Sequence, residues 1–154
     1  MRKKRICRIC GNLFTIHYYK DKSGRLHSRN RCNDCEKERK HKWVLKIKTQ
    51  VMSYYGGKCS CCGEDQLEFL TIDHVNKPGN IHRKEIGISG GGGLRFYRWL
   101  QKNNYPLGYR VLCFNCNCAI GHYGYCPHHK DIYQIYNQVS QIEKSIKKLK
   151  YIFN

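Results

Sequence analysis

The sequence predicts a small α+β protein that zinc ions stabilise in place of a large hydrophobic core. Its 154 residues, 14 of them glycine, leave little apolar material for one extended core. Eight of the 11 cysteines form four C-x-x-C pairs. Short apolar stretches alternate with two long helical patterns. The predicted order is an N-terminal zinc module (1–40), a linker helix (41–56), a second zinc-containing domain (57–129) and a C-terminal amphipathic helix (130–154).

The paired cysteines predict two tetrahedral structural zinc sites. A two-residue gap that repeats four times is more typical of zinc than of disulfides. The first set is Cys7, Cys10, Cys32 and Cys35, and the second is Cys59, Cys62, Cys113 and Cys116. Disulfides, free thiols and redox C-x-x-C motifs are the alternatives, and the redox interpretation lacks the βαβ pattern that accompanies it.

The sequence start predicts an intracellular protein. Met1–Arg5 is basic, but the apolar segment of a secretory signal does not follow it. No apolar run approaches the length of a membrane span. We therefore expect the reducing cytoplasm of a bacterium or an infected host, and no membrane partner.

Residues 1–40 show the pattern of a treble-clef or zinc-ribbon module. Cys7–Gly11 is a knuckle turn whose glycine supplies the required backbone freedom. Leu13–Tyr19 predicts a short strand, and Asp21–Gly24 predicts a hairpin turn. Cys32–Cys35 then stands at the start of a helix. A knuckle, a hairpin and a second knuckle at a helix start describe such a module.

Glu36–Tyr55 predicts the linker helix, which Gly56 and Gly57 end. Six basic side chains surround a modest apolar stripe of Trp43, Ile47, Val51 and Tyr54 or Tyr55. The basic face suits contact with phosphates, and a face that is merely solvated explains it equally well.

The second domain begins with an apolar strand, Glu68–Val75, which carries Asp73 and His74. We predict a loop over Asn76–Gly93, with the glycine tract Gly90–Gly93 mobile in the absence of substrate. A short helix over Leu94–Asn103 follows, whose aromatic residues we assign to the interior rather than to stacking on bases.

A second short strand, Tyr109–Leu112, is predicted to lead into the last cysteine pair, and a helix is predicted from Asn117 onward. The C-terminal helix is predicted over Asp131–Phe153, with Asp131 and three late lysines placed as the helix dipole favours. Its apolar residues repeat every three or four positions, at Ile132, Ile135, Val139, Ile142, Ile146, Leu149 and Phe153. Such a seam either forms a dimer or packs on the linker helix, and we prefer packing within the chain.

Three segments resemble the HNH endonucleases with a zinc-stapled ββα-metal fold, in particular those of phages and mobile elements. They are Cys59–Gly63, Ile72–His74 and Leu112–Asn117, and the resemblance covers about Tyr54 to His128. It implies that His74 is the general base, and that Asp73 and Asn117 bind a catalytic Mg²⁺ or Mn²⁺. With the two structural Zn²⁺ sites, this implies three bound ions.

The chain departs from the family pattern at two positions. The last metal ligand is more often His, so Asn117 makes this an H-N-N variant, and its hard carbonyl oxygen suits Mg²⁺ or Mn²⁺. The family's middle Asn is missing near Gly108 and Tyr109. Imperfect substitutes are Asn103, Asn104 and Asn115, so the group that orients His74 stays open.

Six further residues of types that can bind metal lie in or near the second domain's cysteine pairs and after them: Cys61, Cys118, His122, Cys126, His128 and His129. They can form a third metal site, but we favour packed or free thiols and surface imidazoles. Cys61 is also an alternative to Cys62, and His122 is an option as an extra ligand of the catalytic metal.

The formal net charge of +18 points to a polyanionic partner. Two four-thiolate zinc sites would lower it only to about +14. The first hypothesis is a phage-borne or homing endonuclease that nicks or cuts double-stranded DNA, as a monomer or as a dimer through the C-terminal helix. The alternative is a zinc-ribbon protein without catalysis that binds structured RNA or a ribosome. The acid and imidazole on one strand favour the enzyme.

Overall fold

The computed structural model describes residues 3–76, 79–88 and 93–152, and it confirms a small α+β protein. The chain forms two compact units, Met1–Ile47 and Lys48–Asn154. The described residues form two short antiparallel strand pairs in the first unit and one in the second, and in each unit cysteines gather near a helix start. None of the described helices is both long and apolar enough to span a bilayer.

The first unit contains two strand pairs instead of one hairpin. Strands β1 (Lys4–Ile6) and β2 (Leu13–Thr15) pair around the first cysteine knuckle, and β3 (Tyr18–Lys20) pairs with β4 (Leu26–Ser28). The prediction of one strand over Leu13–Tyr19 is therefore wrong, because the chain changes its pairing partner after Thr15.

The predicted turn between β3 and β4 is confirmed. The carboxylate oxygen Oδ1 of Asp21 accepts hydrogen bonds from the backbone N–H groups of Ser23 (2.9 Å) and Arg25 (3.0 Å). An Asp side chain that bonds the backbone two residues on is a common way to close a tight turn.

Helix α1 spans Asn33–Tyr54. It begins three residues before the predicted Glu36, since the carbonyl oxygen of Cys32 already accepts the first helical bond from the N–H of Glu36 (3.1 Å). Ile47 and Val51 of the predicted stripe are buried, as is Met52, which the prediction omitted. Trp43 and Tyr54 are 40% and 58% exposed, so the apolar face is narrower than predicted.

The second unit is centred on strands β5 (Leu70–His74) and β6 (Tyr109–Cys113), which pair antiparallel in register from Leu70↔Cys113 to His74↔Tyr109. A 3₁₀ turn precedes β5, and helix α4 (Phe114–Tyr123) follows β6 directly. Both strands contribute buried side chains: Leu70 and Ile72 come from β5, and Val111 and Leu112 come from β6. Leu100 is buried in the same unit.

The helix predicted over Leu94–Asn103 is confirmed, but the segment Asn76–Gly93 before it is not the continuous loop that we predicted. A short helix, α2 (Gly79–Glu85), lies within it, followed by α3 (Gly93–Lys102), which buries Phe96 and Leu100. Helix α2 has no apolar repeat, and ring contacts of its His82 with α3 help to hold it instead. We predicted that the tract Gly90–Gly93 is mobile. Gly90–Gly92 lie outside the described residues, and Gly93 is the first residue of α3.

Helix α5 (Lys130–Ile152) follows a 3₁₀ turn over Pro127–His129. Six seam residues are 48% to 65% exposed: Ile132, Ile135, Val139, Ile142, Ile146 and Leu149. Our preference for packing of this seam within the chain is therefore wrong for these residues. Phe153 lies outside the described residues, and a dimer through α5 stays a prediction.

Candidate functional site

The first cysteine set converges as predicted. The ligand atoms of Cys7, Cys10, Cys32 and Cys35 all lie within 4.8 Å of one another. The sulfurs of Cys10 and Cys32 are 3.6 Å apart, close to the roughly 3.8 Å edge that zinc–sulfur bonds of about 2.3 Å produce in a tetrahedron. The N–H of Gly11 bonds the carbonyl of Cys7 (3.0 Å), and the N–H of Cys7 bonds the carbonyl of Asn12 (2.8 Å).

The second cysteine set repeats this arrangement. Cys59, Cys62, Cys113 and Cys116 also lie within 4.8 Å of one another, with 3.7 Å between the sulfurs of Cys62 and Cys113. The same two hydrogen bonds close this knuckle: the N–H of Gly63 donates to the carbonyl of Cys59 (3.0 Å), and the N–H of Cys59 donates to the carbonyl of Glu64 (2.7 Å). Gly63 has a φ of 82°, a value that side-chain-bearing residues rarely adopt. Both sets can hold zinc.

The electrostatics of the first set agree with a cation among the sulfurs. Backbone N–H groups of Cys10 and Cys32 directed at the Cys7 sulfur lower the pKa of Cys7 to about 6. The neighbouring sulfurs of Cys10 and Cys32 instead raise the pKa of Cys35. Four sulfurs this close cannot all ionise unless a positive ion lies between them. Full ionisation of this set would therefore need a cation, and without one some of its thiols stay protonated.

A third group of possible ligands gives geometric support to the alternative that the remaining cysteines and histidines form a metal site. Cys61, Cys126 and His128 meet Cys116, with all four ligand atoms within 4.8 Å of one another. The other three candidates do not contribute ligand atoms to this group. Cys118 and His122 are exposed, and Nε2 of His129 contacts the carbonyl oxygen of Cys61 (3.2 Å). Cys62 rather than Cys61 completes the second set, as the repeated spacing predicted.

Asp73, His74 and Asn117 line one cavity of about 610 Å³. Strand β5 delivers the first two at its C-terminal end, and the first turn of α4 delivers Asn117, directly after the buried Cys116. The cavity wall also contains the polar side chains of Asn76, Asn80 and Arg83. His122 is not among the lining residues, so its predicted option as an extra ligand has no support in the described part of the chain.

Packed rings and one polar contact hold His74. Its ring stacks on Phe96 with 5.2 Å between centroids and meets Tyr109 edge to face at 5.0 Å. Nε2 of His74 lies 3.1 Å from Nδ1 of His82. Burial, and next the proximity of His82, lower the pKa of His74, which favours the neutral ring at neutral pH. Nδ1 of His74 faces Gly79 on the cavity wall.

His82 is the site residue that sequence reasoning missed. The three substitutes proposed for the missing Asn lie elsewhere: the Asn103 amide bonds the carbonyl of Trp99 (2.8 Å), Asn104 is in the turn after α3, and Asn115 is exposed on α4. His82 occupies a segment predicted as loop, where no repeat connects it to His74. An imidazole in a basic segment was the only available signal.

Asp73 forms an ion pair that the sequence did not predict. Nε of Arg110, its cross-strand partner on β6, lies 2.8 Å from Oδ2 of Asp73, whose side chain is 19% exposed. This contact involves only Oδ2, so Oδ1 has no part in the ion pair with Arg110. Arg110 also lowers the local negative charge that would attract such a cation.

Gly79→Ala is expected to slow any chemistry that depends on His74 by about 10- to 100-fold, since small misplacements of a reacting group have effects of this size. A Cβ at position 79 would lie 2.8 Å from Nδ1 of His74, whose ring is already packed on Phe96 and Tyr109. Gly93→Ala is the matched control, because Gly93 is also the first residue of a helix and its Cβ would meet open space. Steady-state rates of an activity that uses His74, measured at equal zinc content, compare the two variants, and equal rates would show that the ring has room to move.

Comparison with known proteins returns no match, whether to a family model, to a curated protein or to a solved structure. The resemblance noted above therefore depends on the residues of this chain alone.

Proposed function

We propose that the chain is a metal-dependent HNH endonuclease that hydrolyses phosphodiester bonds of DNA. The observation that carries the proposal is the single cavity lined by Asp73, His74 and Asn117. In this proposal β5, β6 and α4 form the ββα-metal unit, which the second cysteine set staples, and the first unit is a treble-clef zinc module.

Asp73 and Asn117 offer hard oxygen ligands on two different elements that face one cavity. Oxygen ligands of this kind suit Mg²⁺ or Mn²⁺ rather than a soft-metal site. A cation there would supply Lewis-acid stabilisation of the phosphoryl group and of the leaving oxygen. Asn117 directly follows Cys116, and Cys113 caps α4 by accepting the N–H of Cys116 at 3.4 Å. The zinc-binding cysteines therefore set the position of the Asn117 oxygen.

His74 is the general base in this proposal. Nε2 faces His82 at 3.1 Å, so Nδ1, beside Gly79, is the nitrogen that can take a proton from water. This requires that Nε2 carries the ring proton and donates a hydrogen bond to Nδ1 of His82. A neutral imidazole that is held in one tautomer by a hydrogen bond is the arrangement general-base catalysis needs. His82 thus takes the orienting role assigned to the missing Asn.

The basic character of the chain supports a nucleic-acid substrate. Arg83 lines the same cavity as the proposed catalytic residues and offers a cation for a phosphate of the backbone. The net charge of +18 extends this attraction along a polyanion beyond the cavity. Double-stranded DNA is the substrate we infer, because the resemblance is to DNA endonucleases.

One observation favours the second candidate, a zinc-ribbon protein that binds nucleic acid without cutting it. The ion pair between Asp73 and Arg110 already compensates the carboxylate, so Asp73 can be stable without a metal. In that case Asp73 and Arg110 form a structural cross-strand pair, and the basic surface alone provides the function.

Cleavage of supercoiled plasmid in Mg²⁺ or Mn²⁺ tests the proposal, with Asn117→Ala compared against Asn115→Ala. Asn117 lines the cavity, whereas Asn115 lies in the same turn of α4 and is exposed. We expect Asn117→Ala to need at least about tenfold more metal for half-maximal cleavage, as loss of metal-site contacts commonly weakens binding by 10- to 100-fold. Asn115→Ala is expected to match the parent protein.

The product form gives the number of strands cut. A parent protein that binds DNA or RNA but converts no plasmid in either metal would favour the binding candidate. Equal metal dependence of the two Asn variants would remove Asn117 from the metal site while leaving nuclease activity itself intact.

A further inference from the structure

The third cysteine group has the dimensions of a second zinc site in the same unit. Nδ1 of His128 lies 3.2 Å from the sulfur of Cys126, 3.4 Å from that of Cys116 and 3.9 Å from that of Cys61. Zinc–sulfur bonds of about 2.3 Å and zinc–nitrogen bonds of about 2.0 Å give sulfur–nitrogen edges of roughly 3.5 Å in a tetrahedron. The three distances lie around this value, so one ion can reach all four atoms.

Three separate segments form this group, and the local backbone orients each of them. Cys61 lies inside the second knuckle, between Cys59 and Cys62, and its sulfur joins the third group instead of the second. Cys126 directly precedes the 3₁₀ turn before α5, and His128 lies within that turn, which the hydrogen bond from the N–H of His129 to the carbonyl of Cys126 closes (2.9 Å). Side chains two residues apart then converge on one point.

A backbone contact ties the two approaching segments together. Nε2 of His129 lies 3.2 Å from the carbonyl oxygen of Cys61, so the turn before α5 is held against the knuckle. The sulfurs of Cys116 and Cys126 are buried, with 0% and 5% of those residues exposed. Soft buried sulfurs with one imidazole favour zinc over Mg²⁺ or Ca²⁺.

Cys116 belongs to both groups. Its sulfur is within 4.8 Å of the ligand atoms of Cys59, Cys62 and Cys113, and also of those of Cys61, Cys126 and His128. A thiolate has lone pairs for two metal ions, and Cys116 is the residue at which the two ligand sets meet. We propose that these seven side chains bind two zinc ions, with the Cys116 sulfur as a bridge between them.

A second ion with its ligands would add no net charge to the site. A single zinc with four thiolates carries a net charge of about −2. Adding a second Zn²⁺ with the thiolates of Cys61 and Cys126 and a neutral His128 leaves that charge unchanged.

The bridged pair of ions would connect α5 to α4, the helix that carries Asn117. One ion holds the knuckle, β6 and the start of α4, and the other adds the turn from which α5 begins. Binding of these two zinc ions does not depend on whether the protein has the proposed nuclease activity. Three zinc ions per chain are then expected, one in the first unit and two in the second.

Native mass spectrometry of the full chain, purified with zinc, counts the bound ions. We expect three zinc ions for the parent protein, two for His128→Ala and three again for His128→Cys, which restores a ligand. Cys118→Ser is the matched control, since Cys118 is exposed and lies outside all three groups, and it should keep three. These variants leave the four thiolates of the second set intact, so the fold is expected to survive.

Substitution with ¹¹³Cd tests the bridge itself. Two cadmium ions that share the Cys116 sulfur are expected to show scalar coupling between their NMR signals, and His128→Ala should leave one of these signals, uncoupled. Two zinc ions in the parent protein, with no loss in His128→Ala, would overturn the third site. Three ions without cadmium–cadmium coupling would overturn the bridge. Neither readout involves DNA cleavage, so failure of the nuclease proposal would be seen separately.

Discussion

His74→Ala is expected to lower the rate of metal-dependent DNA cleavage by about 10²- to 10⁴-fold, the usual contribution of a general base. The substitution removes Nδ1 at the cavity wall, the nitrogen that we assign to proton transfer. His74 is not a member of the three metal-binding groups, so zinc content and DNA affinity should stay close to those of the parent protein. Single-turnover cleavage of plasmid, with zinc content measured on the same samples, gives the comparison.

His122→Ala provides the control for loss of an imidazole from the same unit. His122 lies on α4, is exposed, and contacts the ring of Tyr123 with 6.3 Å between centroids. We expect His122→Ala to cut at the parental rate. A His74→Ala protein that cuts as fast as His122→Ala would remove His74 from the mechanism, whatever its packing against Phe96 and Tyr109.

Cys113→Ser is expected to abolish cooperative unfolding of the second unit. Cys113 ends β6, caps α4 and lies 3.7 Å from the sulfur of Cys62. Structural zinc in small domains contributes about 10–16 kcal/mol of binding free energy. A core formed largely by the short strand pair and a few helical side chains cannot replace a contribution of that size. Circular dichroism during heating, together with zinc content, measures the loss.

Cys118→Ser serves as the comparison for this substitution, because Cys118 is an exposed cysteine on the same helix. It should unfold at the parental temperature with all its zinc. Chelation of the parent protein is expected to reproduce the effect of Cys113→Ser. Retention of the full zinc content and of a parental melting temperature by Cys113→Ser would show that Cys113 is not a ligand.

Residue spacing was enough to predict the features that depend on neighbours in the chain. The two cysteine sets, the turn at Asp21, helix α3 and the strand pair that carries Asp73 all follow from local patterns. A C-x-x-C pair with a following glycine specifies its own knuckle, since the hydrogen bonds that close it lie within a few residues. Those expectations needed no knowledge of distant parts of the chain.

Contacts between distant segments required the tertiary structure. His82 reaches His74 because an unpredicted helix lies beside α3, and Arg110 meets Asp73 because the strands pair in one register. The exposure of the α5 seam is a further case, since an apolar repeat specifies a face but not its partner.

The sharing of Cys116 is the clearest contrast between the two kinds of information. Spacing assigned Cys116 to one set and left Cys61, Cys126 and His128 without a role. Folding brings all three to the same sulfur, and Cys61 is 55 residues from Cys116 in the sequence (116 − 61). Local chemistry therefore specified which residues can bind metal, whereas only the packing of β6, α4 and the turn before α5 decided which of them meet, because ligand distances depend on backbone paths that no short motif encodes.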